Sequence, residues 1–379
     1  MARSRISTIF SVVIVLILSL NFSSPSASTH AQTSRLSIVG STTLIADVVG
    51  RVAGDAADVT SLMGYGVDPH AYEPSAQDIV TLDEADVVFV NGANFEEGLL
   101  SVLAEAAPDN LVTISDCVAI LPFGLEMGNT VDNGQAAPTA NDSSAIAQQC
   151  ASHFDALTSL GVEINHSDEP EAAVEPLGLL YETNCAVGGD HPAEGDEDHE
   201  IGSCDPHLWT DVHNVMLWTL MARDVLSEAD PANAATYSTN TDAYLAELIA
   251  LDTEVAHLLA SVPEQNRVLI TNHETLGYLA ARYGYQIVGS VIPGGGTSNE
   301  PSAEDVASLI ETVQDYGVSA IFSENTVSAS LAQEISDETG AGIYQLYSDS
   351  LTDTDGPAHT YIDYMRTNAT TIVTALNPQ

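Results

Sequence analysis

Between Pro231 and Pro263 the chain runs for about thirty residues, through "NAATYSTNTDAYLAELIALDTEVAHLLASV", without a glycine or a proline. Nothing in that stretch breaks a helix, and at 1.5 Å per residue it would span roughly 45 Å, about the length of two domains side by side. On either side of it the sequence alternates short apolar runs with segments of helical spacing. Before it, "RLSIVG", "DVTSLMG", "DVVFVNG" and "NLVTIS" read as strands, separated by the helical patterns "TTLIADVVGRVAG", "PSAQDIVTLDEA" and "FEEGLLSVLAEAA". Nearer to it, "VHNVMLWTLMARDVLSEADP" reads as an amphipathic helix. After it, "RVLIT", "YQIVGSVI", "VSAIFSE" and "AGIYQLY" are the strands, and the chain closes on the helical "TYIDYMRTNATTIVTAL". Strands that alternate with helices form a parallel sheet covered on both faces. The expected fold is therefore α/β: two lobes, each a parallel sheet with flanking helices, joined by one long rigid helix, with a cleft between them.

Two arginines followed by the apolar run Ile9 to Leu20 and the small-residue stretch "SSPSASTHA" make residues 1–31 a secretion signal, too short for a conventional membrane span. The first cysteine is Cys117, so none stands beside the expected cleavage region to carry a lipid anchor. An exported protein, periplasmic or on the extracellular face of the membrane, is the expectation. The remaining boundaries are an N-terminal lobe over 32–215, a connecting helical region over 216–262 and a C-terminal lobe over 263–379. The first lobe carries a surface insertion at about 121–203, where the alternation fails. That insertion ends in an acidic histidine loop at 188–203.

The formal net charge is −46, from 54 acidic residues against 8 arginines and no lysine. Nucleic acid and anionic membrane surfaces are poor partners on this ground, and cations are favoured. Solvation of the whole surface in a salt- or acid-adapted organism would produce the same charge, so metal binding has to be argued from particular residues. The four cysteines of an exported chain point to disulfides. Of the three pairings open to them, the one favoured joins Cys185 to Cys204 across the neck of the histidine loop and leaves Cys117 with Cys150.

Asp-Pro-His occurs twice, in "GVDPHAYEPS" with His70 and in "CDPHLWTD" with His207. The proline fixes its own φ and biases the aspartate towards extended backbone, so each turn presents its imidazole stiffly. "LITNHETLGYLA" sets His273 just after the first strand of the second block, and "YQLYSDSL" sets Asp349 just after its last. With His70 they share the carboxyl edge of a parallel sheet, where open α/β proteins bind ligands, and His207 can join them from the loop before the next helix. Taken singly, each has an ordinary explanation as a turn, a core histidine or a helix cap. Together, three imidazoles and one carboxylate suit a first-row divalent ion, zinc preferred on ligand type and manganese as the alternative. Glu324, in "FSEN" at the same edge, can accept the second ring N–H of a ligand histidine or serve as an alternative carboxylate ligand. His191 and His199 lie among Gly, Asp and Glu. They form a second device, which captures zinc weakly and passes it inwards, or else they are incidental to a solvated loop.

The run "GVDPHAYEPSAQDIVTLDEADVVFVNGANFEEGL", with "DPHLWTDVHNV", "DPANAATYSTNTDAYLAEL", "NHETLGYLAARYG", "EPSAEDVASLIE", "IFSEN" and "YSDSL", resembles the solute-binding receptors of bacterial zinc and manganese ABC transporters. The resemblance covers nearly all of residues 35–375. It implies two α/β lobes, a rigid connecting helix and one metal in the cleft, held by His70, His207, His273 and Asp349. It also implies a monomeric receptor that delivers zinc, or alternatively manganese or iron, to a membrane permease. Zinc-selective relatives often carry an acidic histidine-rich loop just before the second ligand motif, where the short "GGDHPAEGDEDHE", with two histidines, stands. Two rivals of another class are a metal-dependent adhesin, because surface relatives share this scaffold, and a secreted zinc hydrolase. The hydrolase is disfavoured: the fourth position is filled by Asp349, and there is neither an H-E-x-x-H helix nor a G-x-S-x-G elbow.

Overall fold

The computed structural model describes residues 35–99, 102–103, 106–107, 110–122, 144–163, 178–183, 204–294, 296–297 and 299–377. Strands β1 (Leu36–Gly40), β2 (Ala57–Ser61), β3 (Val87–Val90) and β4 (Leu111–Thr113) form a parallel sheet in the order β2-β1-β3-β4. Strands β5 (Val268–Thr271), β6 (Gln286–Ser290), β7 (Ala320–Glu324) and β8 (Gly342–Leu346) repeat that order as β6-β5-β7-β8, again parallel. The protein is thus a two-lobe α/β fold. In each sheet the winding reverses between the two central strands, and the crevice outside their carboxyl ends at such a switch point is where doubly wound sheets bind ligands.

The helices are α1 (Thr43–Ala53), α2 (Ala76–Asp83), α3 (Ser144–Ser159), α4 (Val212–Ala229), α5 (Ala234–Leu259), α6 (Gly277–Tyr283), α7 (Ala303–Tyr316), α8 (Ser330–Thr339) and α9 (Tyr361–Leu376). The stretch free of glycine and proline is α5, roughly 39 Å long. It buries Tyr237, Thr241, Tyr244, Leu248, Leu251, Val255 and Leu259, a stripe at three- and four-residue spacing, and packs on α1, α4 and α9. One continuous apolar core therefore runs from the first sheet through α4 and α5 to the second. Helix α4 was expected to be amphipathic, but every residue from Val212 to Ala222 is buried. Its first three turns are enclosed on all sides, so they have no solvent face.

The structure also differs from expectation within 121–203, where a sixteen-residue helix, α3, interrupts the surface excursion. Its buried Cys150 is bonded to Cys117, and its buried His153 lies 2.7 Å from Asp224 of α4. Serines and glutamines dilute its apolar spacing, and these two tethers to the core hold it. Cys204 is also disulfide-bonded and no described cysteine is free. Cys185, His191, His199 and the secretion signal lie outside the described residues. So does part of the helix expected at 95–107, of which the described portion begins with a 3₁₀ turn at Glu97–Leu99. Among the described residues no helix is long and apolar enough to cross a membrane.

Candidate metal centre

Both Asp-Pro-His turns close in the same way. The backbone N–H of His70 donates to Asp68 Oδ1 at 3.0 Å, and that of His207 donates to Asp205 Oδ1 at 3.0 Å. Each aspartate thereby locks the backbone two residues on, a turn this side chain favours. His70 stands beyond β2, His273 beyond β5 and Asp349 beyond β8, while His207 caps a short 3₁₀ turn, Leu208–Thr210, that leads into α4. The four side chains meet between the two sheets, and all are buried. His207 Nε2 lies 3.3 Å from His70 Nε2 and 3.2 Å from His273 Nε2. Asp349 Oδ1 is 3.9 Å from His207 Nε2, and its Oδ2 is 3.7 Å from His273 Nε2.

Carboxylates stand behind two of the rings. His207 Nδ1 donates to Asp205 Oδ1 at 2.8 Å. His273 Nδ1 lies 2.7 Å from Glu324 Oε2, and the backbone N–H of His273 donates to Glu324 Oε1 at 3.0 Å. The Nδ1 proton so held on His207 turns its Nε2 lone pair towards the Nε2 atoms of His70 and His273. Asp349 Oδ1 adds a buried acceptor without a hydrogen-bond partner. A buried acceptor left unpaired is costly, and a cluster of them calls for a cation.

The ionisation pattern follows from that crowding. Burial and the neighbouring His207 and His273 hold His70 well below the usual histidine value, and burial with His273 does the same to His207. Burial also opposes charge on His273, but Glu324 and Asp349 outweigh it and push this ring up to about 9. Burial pushes Asp349 up to about 7 despite His273, and raises Asp205 to about 7. Burial opposes charge on Glu324 as well, yet the adjoining His273 holds it below its ordinary value. Without an ion, the cluster keeps protons that a divalent cation would displace.

Aromatic side chains close one side. Phe95 meets the His70 ring edge-on at 5.1 Å and lies 4.7 Å from the Trp209 ring, which is itself 5.5 Å from that of His207. Trp209 Nε1 donates to Ser348 O at 3.0 Å, next to Asp349. Phe95 follows three successive residues of positive φ, Gly92, Ala93 and Asn94. The buried Glu96 carboxylate holds that turn, accepting from Asn91 N at 2.6 Å and Ser41 Oγ at 2.7 Å. Sequence reasoning missed Phe95 and Trp209, and it credited Asp205 with shaping a turn only. The repeated Asp-Pro-His was the available signal for Asp205. The other described histidines lie elsewhere: His153 beside Asp224, His213 between Asp252 and Arg282, His359 beside Asp363, and His257 on α5.

The sequence profile described as "ZnuA: Zinc-uptake complex component A periplasmic" matches residues 38–375. Among curated relatives, the manganese-binding lipoprotein MntA of Halalkalibacterium halodurans is 24% identical over 369 residues, covering 97% of each chain. The iron ABC transporter substrate-binding lipoprotein MtsA of Streptococcus pyogenes serotype M1 is 26% identical over 339 residues, 89% of this chain and 88% of that one. The fold is similar to that of the periplasmic zinc binding protein TroA from Treponema pallidum, with a TM-score of 0.65 and 22% identity over 91% of this chain and 100% of the other. The chain belongs to the ZnuA-like family of periplasmic metal-binding proteins, the substrate-binding components of metal ABC transporters.

Proposed function

We propose that the chain captures a single divalent ion, zinc in preference to manganese or iron, on His70, His207, His273 and Asp349, and delivers it to the membrane permease of its transporter. One observation carries this reading: the imidazole Nε2 atoms converge at 3.2 and 3.3 Å. Two nitrogens about 2.0–2.1 Å from one tetrahedral ion stand about 3.3 Å apart, so little movement is needed to seat zinc. Three nitrogens against one carboxylate also favour zinc over the harder manganese ion, which prefers oxygen. Glu324 orients His273 from behind. The His191 and His199 loop is an accessory that captures zinc weakly, and the 32–215, 216–262 and 263–379 segments act as lobe, connector and lobe.

The test is a calorimetric titration of the chelator-stripped mature chain with zinc and, separately, with manganese. One tight zinc event is expected, with any second event much weaker. Deleting residues 189–200 is expected to leave the tight event intact. Tight manganese binding with poor zinc retention would reassign the cargo, and no tight event with either metal would refute transport of these ions.

A further inference from the structure

The two Asp-Pro-His turns share a backbone but use their aspartates differently. Asp68 turns its second oxygen to Thr297 Oγ1, whereas Asp205 also accepts from a ring nitrogen, His207 Nδ1, at 2.8 Å. Asp205 is 3% exposed and gripped along its whole length. Its N–H donates to Leu121 O at 2.8 Å, and its carbonyl accepts from Tyr278 Oη at 2.9 Å. That same hydroxyl accepts from Leu121 N at 3.0 Å. Its Oδ2 lies against Gly277, where even a methyl group would overlap it. Gly277 and Tyr278 open α6, four residues beyond His273 on the other lobe. The carboxylate that sets His207 is thus clamped by the helix that follows His273.

We propose that Asp205 is the positioning residue of the centre: it keeps the His207 proton on Nδ1 and the Nε2 lone pair turned to the cargo ion, in an orientation tied through α6 to the opposite lobe. The inference rests on the proposed function. A neutral imidazole bears its proton on either nitrogen, and with the proton on Nε2 it presents a donor that cannot ligate a metal. Asp205 removes that second state. It also adds negative charge behind a ligand nitrogen and raises its basicity, as outer carboxylates do for histidine ligands.

The experiment compares the metal-stripped parent chain with Asp205→Ala and Asp205→Asn by three readouts: zinc affinity in competition with a chelator, the visible absorption of the cobalt(II) complex, and the melting temperature of the metal-free chain. Asp205→Ala is expected to bind zinc about 10–100-fold more weakly and to alter the cobalt spectrum. Asp205→Asn keeps an acceptor oxygen but not the charge, so it is expected to lose less affinity and to restore much of the spectrum. Zinc affinity and cobalt spectra equal to the parent's in both variants would overturn the proposal. So would a loss that merely follows a lowered melting temperature with an unchanged spectrum. If Asp205→Ala does not fold, Asp205→Asn decides by the same criteria. A parent chain that binds neither zinc nor cobalt would overturn the proposed function as well; a binding parent with indifferent variants would overturn only the role of Asp205.

Discussion

Replacing Thr297 with valine should loosen the grip on the ion without touching any proposed ligand. Thr297 Oγ1 donates to Asp68 Oδ2 at 2.6 Å, and the other oxygen of that carboxylate fixes the backbone of His70. The hydrogen bond therefore joins the His70 turn to a loop of the second lobe. A second contact lies close by, where Gly66 N donates to Ser350 Oγ at 2.8 Å, one residue beyond Asp349. Hydrogen bonds to carboxylates contribute about 1.5–3 kcal/mol, and the partial exposure of both partners argues for the lower end. Valine keeps the shape of threonine and removes the donor. If the ion leaves by lifting the His70 turn, the bond is present before release and absent after it, and a loss of about 1.5 kcal/mol speeds release roughly tenfold. The assay mixes metal-loaded protein with excess chelator and follows fluorescence, since the Trp209 ring lies 5.5 Å from that of His207. Release within about twofold of the parent rate, with zinc affinity unchanged, would show that this turn does not open when the ion departs.

Three other outcomes follow from the same geometry. The Cys117–Cys150 bridge closes a loop at a separation of 33 residues, so the double alanine variant should lose about 4 kcal/mol in urea denaturation while keeping its zinc affinity; a loss of zinc binding would mean that α3 supports the centre. Burial raises Asp116 to about 6, so the folded chain holds a proton that the unfolded chain has shed, and this contribution is present below about pH 4 and lost as pH rises through 6. Asp116→Asn should match the parent's stability near pH 4 and exceed it at pH 8 by at most about 3 kcal/mol, whereas a gap independent of pH would refute the burial argument. Glu324→Gln removes the charge behind His273 and should weaken zinc about tenfold or more in chelator competition; an unchanged affinity would deny Glu324 an orienting role.

Much of this architecture is local in origin and so was legible beforehand. Helix α5 lies where thirty residues lack a breaker, and the strands lie where short apolar runs alternate with helical spacing. His70, His207, His273 and Asp349 could be grouped because each follows a strand or a stiffened turn, and the ends of parallel strands share one edge. Helix α3 was not legible, because its stability comes from a disulfide and a His153–Asp224 pair reaching segments distant in sequence. Nor was the buried character of α4, since a helix enclosed on every side has no periodic contrast to read.

The sequence by itself determined the alternation of elements, the two parallel sheets that alternation implies and the residue types able to hold an ion. Those properties depend on neighbours a few positions apart: spacing, turn chemistry and helix breakers. Tertiary structure alone decided how far apart the imidazole nitrogens stand, which rings have a carboxylate behind Nδ1, and how the two lobes grip each other. Each depends on atoms far apart in the chain, His207 on α6, His273 on Glu324 and Asp68 on Thr297. A hydrogen bond gains its direction and strength from separations of tenths of an ångström, which only a packed interior can hold.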